Sequence, residues 1–285
     1  MMKIINEVSQ MREISAKWAH KALPPVLVPT MGFLHEGHRA LLRIGRVLCK
    51  DGRPLVLSIF VNPTQFGPGE DFSTYPRDLE KDIAVARAEG VDIVFNPSAE
   101  QMYPGGFQTF VEVQELSAPL CGPSRPGHFT GVATVVLKLF NIVRPAGAVF
   151  GRKDYQQLLV IRRMVEDLDL GVEITGVETV RDRDGLAMSS RNAYLSPEER
   201  RAALCVPRSL DAAQEALCSG EAQCAVIVEK MKKIIEKEPM AVIEYADIRD
   251  SLTLAPLKRV EGAAVAAVAV RIGRTRLIDN RVLEP

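Results

Sequence analysis

Short apolar runs without polar alternation, separated by helical patterns, fill the first two thirds of the chain and constrain its fold most. Strands of this kind are typical of a parallel sheet that helices cover on both faces. Because crossovers between parallel strands are right-handed, we predict a Rossmann-like, doubly wound parallel sheet. The predicted strands are Val26–Val28, Leu55–Val61, Val91–Phe95, Ala148–Phe150 and Val172–Val180. The predicted helices are Gly37–Lys50, Arg77–Glu89, Thr130–Val143 and Tyr155–Asp169.

The pattern changes after Asn192. Ser196-Pro197-Glu198-Glu199 is a helix start, with serine at the N-cap, proline at the first helical position and acids in the first turn. We therefore predict a Rossmann-like domain at 1–180, which binds the ligands, and a smaller α+β domain at 181–285, which closes over the active site. The predicted helices of the second domain are Pro197–Ser219 and Glu221–Lys237, and its strands are Ala241–Ile248, Ala263–Ile272 and Thr275–Ile278.

Charge and composition exclude several classes of protein. Lys and Arg total 36, as do Asp and Glu, so no overall field recruits nucleic acid or an anionic membrane. The N-terminus lacks the apolar stretch of a signal peptide, and the longest apolar run, Gly262–Val270, is too short to span a bilayer. The five cysteines show no C-x-x-C spacing, which indicates reduced thiols in a cytoplasmic protein.

The segment PTMGFLHEGH connects a predicted strand to a predicted helix and contains two histidines, His35 and His38. Ligands usually lie at such turns, and the N–H groups at the start of the helix suit phosphate. Gly37 removes a side chain where a nucleotide would press against the backbone. Zinc proteases need the spacing H-E-x-x-H, which this segment lacks. Taken alone, the segment also fits an ordinary helix turn with two surface histidines, although less well.

Two further segments carry groups that suit phosphate. In FGRKDYQQL, Lys153 lies at a second helix start, where a cation is unfavourable unless an anion binds. In GLAMSSRN, Ser189 and Ser190 precede Arg191, and hydroxyls beside a guanidinium suit phosphate oxygens. Each has an ordinary alternative, namely a solvated lysine and a capped turn.

Polar groups follow the predicted strand in SIFVNPTQF, where Asn62, Thr64 and Gln65 would bond an uncharged part of a substrate. The following loop, Gly67–Gly69, is a candidate lid, and the alternative is an ordinary strand-to-helix connection. Arg125 and His128 precede a helix in RPGHF, and structural and functional roles are balanced there.

Taken together and in this order, these segments closely resemble the pantothenate synthetase (pantoate–β-alanine ligase) family. The matching segments are PTMGFLHEGH, SIFVNPTQF, YPRD, RPGHFTGVATVVLKLFN, FGRKDYQQL, GLAMSSRN and RLIDN, and they span nearly the whole chain. The resemblance implies that pantoate reacts with ATP to give pantoyl adenylate and pyrophosphate, and that β-alanine then displaces AMP. It also implies Mg²⁺ as a phosphate-bridging ion, without naming its protein ligands, and a homodimer.

The resemblance also assigns roles to individual residues. His35 and His38 would contact the ATP phosphates, with His38 as general acid or cationic stabiliser, and Lys153 and Arg191 complete the catalytic set. The implied ATP-binding residues are Met31, Gly32, His35, Gly37, His38, Gly151, Lys153, Asp154, Val180, Met188, Ser189, Ser190 and Arg191. The implied pantoate and β-alanine residues are Asn62, Gln65 and Gln157. Arg152 stands where the family often has glutamate, so it either tightens nucleotide binding or faces solvent.

Two other functions fit parts of the pattern. Another nucleotidyltransferase on this fold would need further cations for a phosphorylated acceptor, whereas Asn62, Thr64, Gln65 and Gln157 favour a small polyol acid. A non-catalytic nucleotide-binding or RNA-interacting module would not need both His38 and Lys153, and the neutral net charge argues against it.

Overall fold

The computed structural model describes residues 2–284 and divides into two compact units. The first unit comprises residues 2–117, 125–152 and 157–178, and the second comprises residues 118–124, 153–156 and 179–284. Two short segments from the first two thirds of the sequence therefore belong to the C-terminal unit. One of them begins at Lys153.

A parallel sheet of six strands lies at the centre of the first unit, as counted over the described residues. Its strands are β1 (Lys3–Ile5), β2 (Val26–Thr30), β3 (Leu55–Ile59), β4 (Ile93–Phe95), β5 (Gly147–Gly151) and β6 (Glu173–Val177). All residues of β3 and β4 are buried, which is why these strands read as apolar runs without alternation. The predicted Rossmann-like sheet is thus confirmed.

The strand order, β1-β4-β3-β2-β5-β6, places the point where the order reverses beside β2. The chain runs from β2 outwards through β3 to β4 and later returns to β5 on the other side of β2. β2 pairs in parallel with β3 along its length and with β5 at Val26 and Leu27. In open α/β sheets, ligands bind outside the carboxyl ends of the strands at this reversal. The turns that follow β2 and β5 are the ones that carry His35, His38 and Lys153.

Eight helices precede the C-terminal third of the described chain. They are α1 (Val8–His20), α2 (Glu36–Leu48), α3 (Leu79–Ala88), α4 (Ala99–Met102), α5 (Gln114–Ser117), α6 (Cys121–Ser124), α7 (His128–Val143) and α8 (Tyr155–Asp167). The sequence did not predict β1 or α1. β1 has three residues and buries Ile5 alone, while α1 buries only Met11 and Ser15, so neither shows a clear period. No helix within residues 2–284 is long and apolar enough to cross a membrane.

The second unit combines helices with an antiparallel sheet in the order β7-β8-β9. Its elements are α9 (Pro197–Ala203), α10 (Cys205–Cys218), α11 (Cys224–Glu236), β7 (Ala241–Asp250), β8 (Ala264–Ile272) and β9 (Thr275–Leu283). The smaller α+β fold is therefore confirmed. The single helix predicted over 197–219 is interrupted at Leu204, because Pro207 has no N–H to donate to the carbonyl of Ala203.

Candidate active site

The turn between β2 and α2 has an irregular backbone that depends on a glycine. Thr30 Oγ1 donates to the carbonyl of Ser58 at 2.9 Å and accepts the N–H of Gly32 at 3.2 Å. Gly32 has φ +84°, and Phe33, although not a glycine, has φ +53°. A Cβ at position 32 would lie 2.8 Å from Asp82 Oδ2. Glycine is therefore required both by the backbone conformation and by the close carboxylate.

Asp82 of α3 fastens this turn from a neighbouring element. Its side chain is 1% exposed, and its two oxygens accept the N–H groups of Phe33 at 2.8 Å and Leu34 at 2.6 Å. Burial raises the pKa of the Asp82 carboxyl above its ordinary value, while the two N–H donors oppose that rise. Hydrogen bonds to a charged group contribute about 1.5–3 kcal/mol each, which offsets the roughly 1–3 kcal/mol of strain in a left-handed non-glycine residue.

His35 and His38 close the N-terminus of α2 by bonding to backbone N–H groups. The N–H of Gly37 donates to His35 Nδ1 at 3.1 Å, and the N–H of His35 donates to His38 Nδ1 at 3.3 Å. Because each Nδ1 accepts, each neutral ring carries its proton on Nε2. The two ring centroids are 4.0 Å apart. A helix N-terminus with two imidazole N–H donors is chemically suited to an anion.

One detail of the sequence prediction is wrong at this turn. The helix was expected to begin at Gly37. It begins instead at Glu36, and His35 is the N-cap residue with an extended backbone, φ −127°. The rings meet because a cap residue and the third helical residue are placed for reciprocal bonding, as in a capping box.

Asn62 lies after β3 and uses its side-chain amide inside the protein. It is 1% exposed, and its Nδ2 donates to Gln65 Oε1 and to the carbonyl of Gly131, each at 3.1 Å. Its Oδ1 accepts the hydroxyls of Tyr103 at 2.8 Å and Thr64 at 2.9 Å. Asn62 therefore orients the amide of Gln65.

Gln65 is 8% exposed, and its Nε2 donates to Met31 Sδ at 3.2 Å. This contact joins the turn after β3 to the turn after β2, and so brings together a residue predicted to bind substrate and one predicted to bind ATP. Helix α7 packs directly on the backbone before Gln65. A Cβ at Gly131 would lie 2.4 Å from the carbonyl oxygen of Thr64.

Arg125 and His128, whose roles the sequence left open, brace the same turn. Arg125 Nη1 donates to His128 Nε2 at 2.9 Å, so His128 Nδ1 carries the proton and donates to the carbonyl of Gln65 at 2.8 Å. Arg125 also makes a two-pronged ion pair with Glu70, at 2.8 and 2.6 Å. These bonds connect the turn at Gln65 to the loop that follows it. The lid function of Gly67–Gly69 stays a prediction.

Lys153 lies in a short 3-10 turn, Arg152–Asp154, between β5 and α8. Its Nζ is 3.6 Å from Asp154 Oδ1, and its side chain is 19% exposed. Asn280 Nδ2 donates to the backbone carbonyl of Lys153 at 2.9 Å. This bond gives a physical role to the asparagine of the RLIDN segment, and it is one of the contacts that join residues 153–156 to the second unit.

Arg152, Gln156 and Gln157, which lie in this turn or just after it, have different surroundings. Arg152 forms an ion pair with Glu178, and both side chains are exposed. Gln156 is buried and bonds the backbone of the 118–124 segment, accepting from the N–H of Cys121 at 3.1 Å and donating to the carbonyl of Pro119 at 2.7 Å. Gln157, the residue predicted to bind pantoate, is half-buried in the first unit.

The Ser189–Arg191 segment is a capped turn. Ser189 Oγ accepts the N–H of Arg191 at 3.3 Å at the start of the 3-10 turn Ser190–Tyr194. The N–H of Met188 donates to the carbonyl of Val180 at 2.9 Å, which brings two residues predicted to bind ATP together. Phosphate binding by these hydroxyls stays a prediction.

A buried ion pair, which sequence reasoning missed, fastens this region to β9. Arg181 donates to both carboxylate oxygens of Asp279, at 2.6 and 3.0 Å, and Asp279 is 2% exposed. The aspartate of RLIDN matched the family without suggesting a partner. Asp82 was missed as well, because one acid in a charged helix gives no local sign of burial.

The predicted site residues are therefore distributed over both units. Those in the first unit are Met31, Gly32, His35, Gly37, His38, Asn62, Gln65, Gly151 and Gln157. Those in the second unit are Lys153, Asp154, Val180, Met188, Ser189, Ser190 and Arg191. Within the first unit, direct contacts join His35 to His38, Met31 to Gln65 and Gln65 to Asn62.

Comparison with known proteins extends over the whole chain. Residues 3–282 match the pantoate–β-alanine ligase family model. Pantothenate synthetases of Geobacter sulfurreducens and Desulfatibacillum aliphaticivorans are 55% and 54% identical, over 99% and 100% of both chains, respectively.

Solved structures agree with the sequence comparison. A pantothenate synthetase from Thermus thermophilus is 46% identical and superimposes with a TM-score of 0.92 over 100% of both chains. A pantoate–β-alanine ligase from Francisella tularensis, complexed with "Beta-gamma ATP" and β-alanine, is 32% identical, with a TM-score of 0.81 over 99% of this chain and 98% of its own. The chain belongs to the pantoate–β-alanine ligase family.

Proposed function

We propose that this chain joins pantoate to β-alanine in an ATP-dependent reaction that yields pantothenate, AMP and pyrophosphate. The observation that carries the proposal is the turn at the N-terminus of α2, where two imidazoles and backbone N–H groups suit phosphate, in a chain that matches this family over residues 3–282. The relative complexed with "Beta-gamma ATP" and β-alanine supports two of the three substrates.

The first step activates a poor electrophile. A carboxylate oxygen of pantoate attacks the α-phosphorus of ATP, the bond from that phosphorus to the pyrophosphate oxygen breaks, and pantoyl adenylate forms. Charge that develops on the phosphates needs fixed donors. We assign that role to Nε2 of His35 and His38, with His38 as general acid or cationic stabiliser, and to Lys153 and Arg191.

The second step forms the amide. The amine of β-alanine attacks the acyl carbon of pantoyl adenylate, loses a proton, and displaces AMP as the C–O bond breaks. The enzyme contributes by alignment, because bringing two reactants together in the correct geometry lowers the barrier by several kcal/mol. We assign the pantoate hydroxyls to Gln65 and Gln157, and the alignment of Gln65 to Asn62.

The remaining assignments concern the nucleotide. We propose that its adenosine and ribose contact Met31, Gly32, Gly151, Asp154 and Val180. Gly37 and Met188 complete the ATP-binding set, together with the hydroxyls of Ser189 and Ser190 on the phosphates.

Mg²⁺ is proposed to arrive with ATP, as part of the substrate. Within residues 2–284 no group of three or more His, Cys, Asp and Glu side chains could hold a metal ion. Mg²⁺ keeps several waters and commonly binds through substrate phosphates, so a dedicated protein cage is not required. By family resemblance, we also propose a homodimer that works in the cytoplasm.

Omitting each substrate in turn tests the proposal. With ATP and pantoate alone, the purified protein should release at most about one pyrophosphate per site, because the adenylate stays bound. Addition of β-alanine should start continuous formation of AMP and pantothenate. Pyrophosphate release that is indifferent to pantoate would contradict the proposal.

Two substitutions test the residue assignments. His38→Ala and Lys153→Ala should each lower adenylation by on the order of 10²-fold or more, because each removes a donor to the phosphates. His20→Ala is the matched control, since His20 is an exposed residue at the end of α1. Near-normal rates in both folded variants would show that the phosphates bind elsewhere.

A further inference from the structure

Asp82 is a buried carboxylate that takes no part in the two chemical steps above. It lies on α3, whereas the turn whose N–H groups it accepts lies between β2 and α2, 48 and 49 residues earlier in the chain. Its two oxygens accept the backbone N–H groups of Phe33 and Leu34, the two residues immediately before His35. A buried charge is unfavourable unless it is well bonded, so its presence at this position needs an explanation.

We propose that Asp82 is a positioning residue that sets the backbone of the turn after β2 and, through it, the two imidazoles proposed to bind the ATP phosphates. The inference rests on the proposed function for its catalytic consequence. The geometric part is independent of that function. It states that without the two bonds from Asp82 the contacts of His35 and His38 at the start of α2 are lost.

The local geometry favours this role. Phe33 has a left-handed backbone, which side chains other than glycine adopt only where surrounding contacts impose it. Asp82 bonds the N–H groups of this residue and its successor, and its Oδ2 lies 2.8 Å from the point where a Cβ of Gly32 would be. If the turn relaxes, the backbone N–H of His35 moves, and this N–H is the donor that fixes His38 Nδ1.

The charged form matters because both partners of Asp82 are donors. An amide at this position would direct N–H₂ at one of the two backbone N–H groups, so asparagine retains one bond and creates a repulsive contact. Direct binding of phosphate by Asp82 is disfavoured, because a carboxylate repels phosphate. The carboxylate is therefore suited to shaping the turn rather than to contacting the nucleotide.

The chain offers a matched control on the same helix. Asp78 is the N-cap of α3, is exposed, and accepts the N–H of Lys81 at 3.1 Å. Asp78→Asn makes the same chemical change as Asp82→Asn, and asparagine remains a good N-cap. A general effect on α3 would appear in both variants. An effect on the turn after β2 would appear only in Asp82→Asn.

The first measurement is ¹⁵N NMR of the histidine rings in the full chain without ligands. The sequence contains four histidines, so His20 and His128 serve as internal references for His35 and His38. The wild type should show His35 and His38 with the proton on Nε2 and a hydrogen-bonded Nδ1. We expect this signature to be lost or averaged in Asp82→Asn and retained in Asp78→Asn.

The second measurement is pantoate-dependent adenylation. We expect kcat to fall by on the order of 10²-fold in Asp82→Asn, since small displacements of catalytic groups have effects of that size. The reaction of supplied pantoyl adenylate with β-alanine should fall much less, because it does not need the triphosphate contacts. A merely structural role would lower both steps alike.

The outcomes separate the two proposals. A folded Asp82→Asn with wild-type ring signals and wild-type adenylation overturns the positioning role. If that variant does not fold, Asp82→Ser replaces it, because its shorter side chain cannot reach both N–H groups, and wild-type behaviour in it overturns the role equally. If the wild type itself fails to adenylate pantoate, the proposed function fails, while the NMR comparison still tests the geometric claim.

Discussion

Replacing Asn62 by aspartate should make the stability of the protein depend on pH. The substitution keeps the shape of the side chain and the Oδ1 acceptor for Tyr103 and Thr64. It replaces the Nδ2 donor by an oxygen that faces Gln65 Oε1 and the carbonyl of Gly131, each 3.1 Å away. Both of these oxygens then face the new carboxylate oxygen, with no hydrogen between them, at a residue that is 1% exposed.

The magnitude follows from the state that the new carboxyl must adopt. A neutral carboxyl can donate to one of the two acceptors, so burial and the oxygens around it raise its pKa in the folded state. Keeping it protonated costs about 1.4 kcal/mol for each pH unit above an unfolded pKa of about 3.9, or about 4 kcal/mol at pH 7 and about 1.5 kcal/mol at pH 5. The acceptor left unpaired adds roughly 1–3 kcal/mol at both pH values.

The direction of the change in stability with pH is the one expected for an acid whose pKa is raised on folding. The folded variant binds more protons than the unfolded chain, so its stability relative to the wild type is highest below about pH 4 and falls as the pH rises, until the folded carboxyl ionises. Urea unfolding at pH 5 and pH 7 measures this difference. Asn6→Asp, an exposed position, is the matched control and should change little at either pH.

Equal destabilisation at both pH values, or a loss below about 1 kcal/mol at pH 7, would refute this reasoning. The same variant should raise the KM for pantoate, because the amide of Gln65 loses the donor that orients it. A raised KM for ATP alone would place the effect elsewhere.

Three other perturbations have expected outcomes. Arg181→Met should lower the free energy of unfolding, measured by urea melts, by about 3–5 kcal/mol, because it leaves the buried carboxylate of Asp279 without its cation. A loss under about 1 kcal/mol would contradict that explanation. Gly131→Ala should destabilise the protein and raise the KM for pantoate, although alanine is the better helix former, because the new Cβ would meet the backbone of Thr64. A stabilised variant would show that α7 does not pack closely on that turn. A thiol-reactive probe at pH 8 should label exposed Cys218 about two orders of magnitude faster than Cys205, whose pKa burial raises to about 11, and peptide mapping that finds Cys205 labelled first would be inconsistent with that burial.

The sequence predicted the parallel sheet well because its central strands are buried on both faces. β3 and β4 are buried throughout, with Ser58 as the one polar side chain in them, and the turns after β2 and β5 carry residues with an evident affinity for anions. Local pattern and tertiary position coincide there, so the fold class and the phosphate-suited segments could be read from residues alone.

Other features depend on contacts between distant segments. The hydrogen bonds of Asp82 and Asn280, and the ion pair of Arg181 with Asp279, join residues that are 48 to 127 positions apart. No local sequence spacing predicts such contacts. Lys153 looks like part of the first domain in sequence, yet it belongs to the second unit, where Asn280 of β9 bonds its backbone carbonyl. The assigned site roles, the homodimer and closure of the C-terminal domain stay predictions.

The central claim is that the carboxylate of pantoate attacks the α-phosphorus of ATP. Pantoate labelled with ¹⁸O in its carboxylate tests this most directly, with mass spectrometry of the products after complete reaction with β-alanine. The account predicts one ¹⁸O atom in AMP and none in pyrophosphate, because the C–O bond of the adenylate breaks in the second step. Label in orthophosphate or pyrophosphate, or unlabelled AMP, would contradict it.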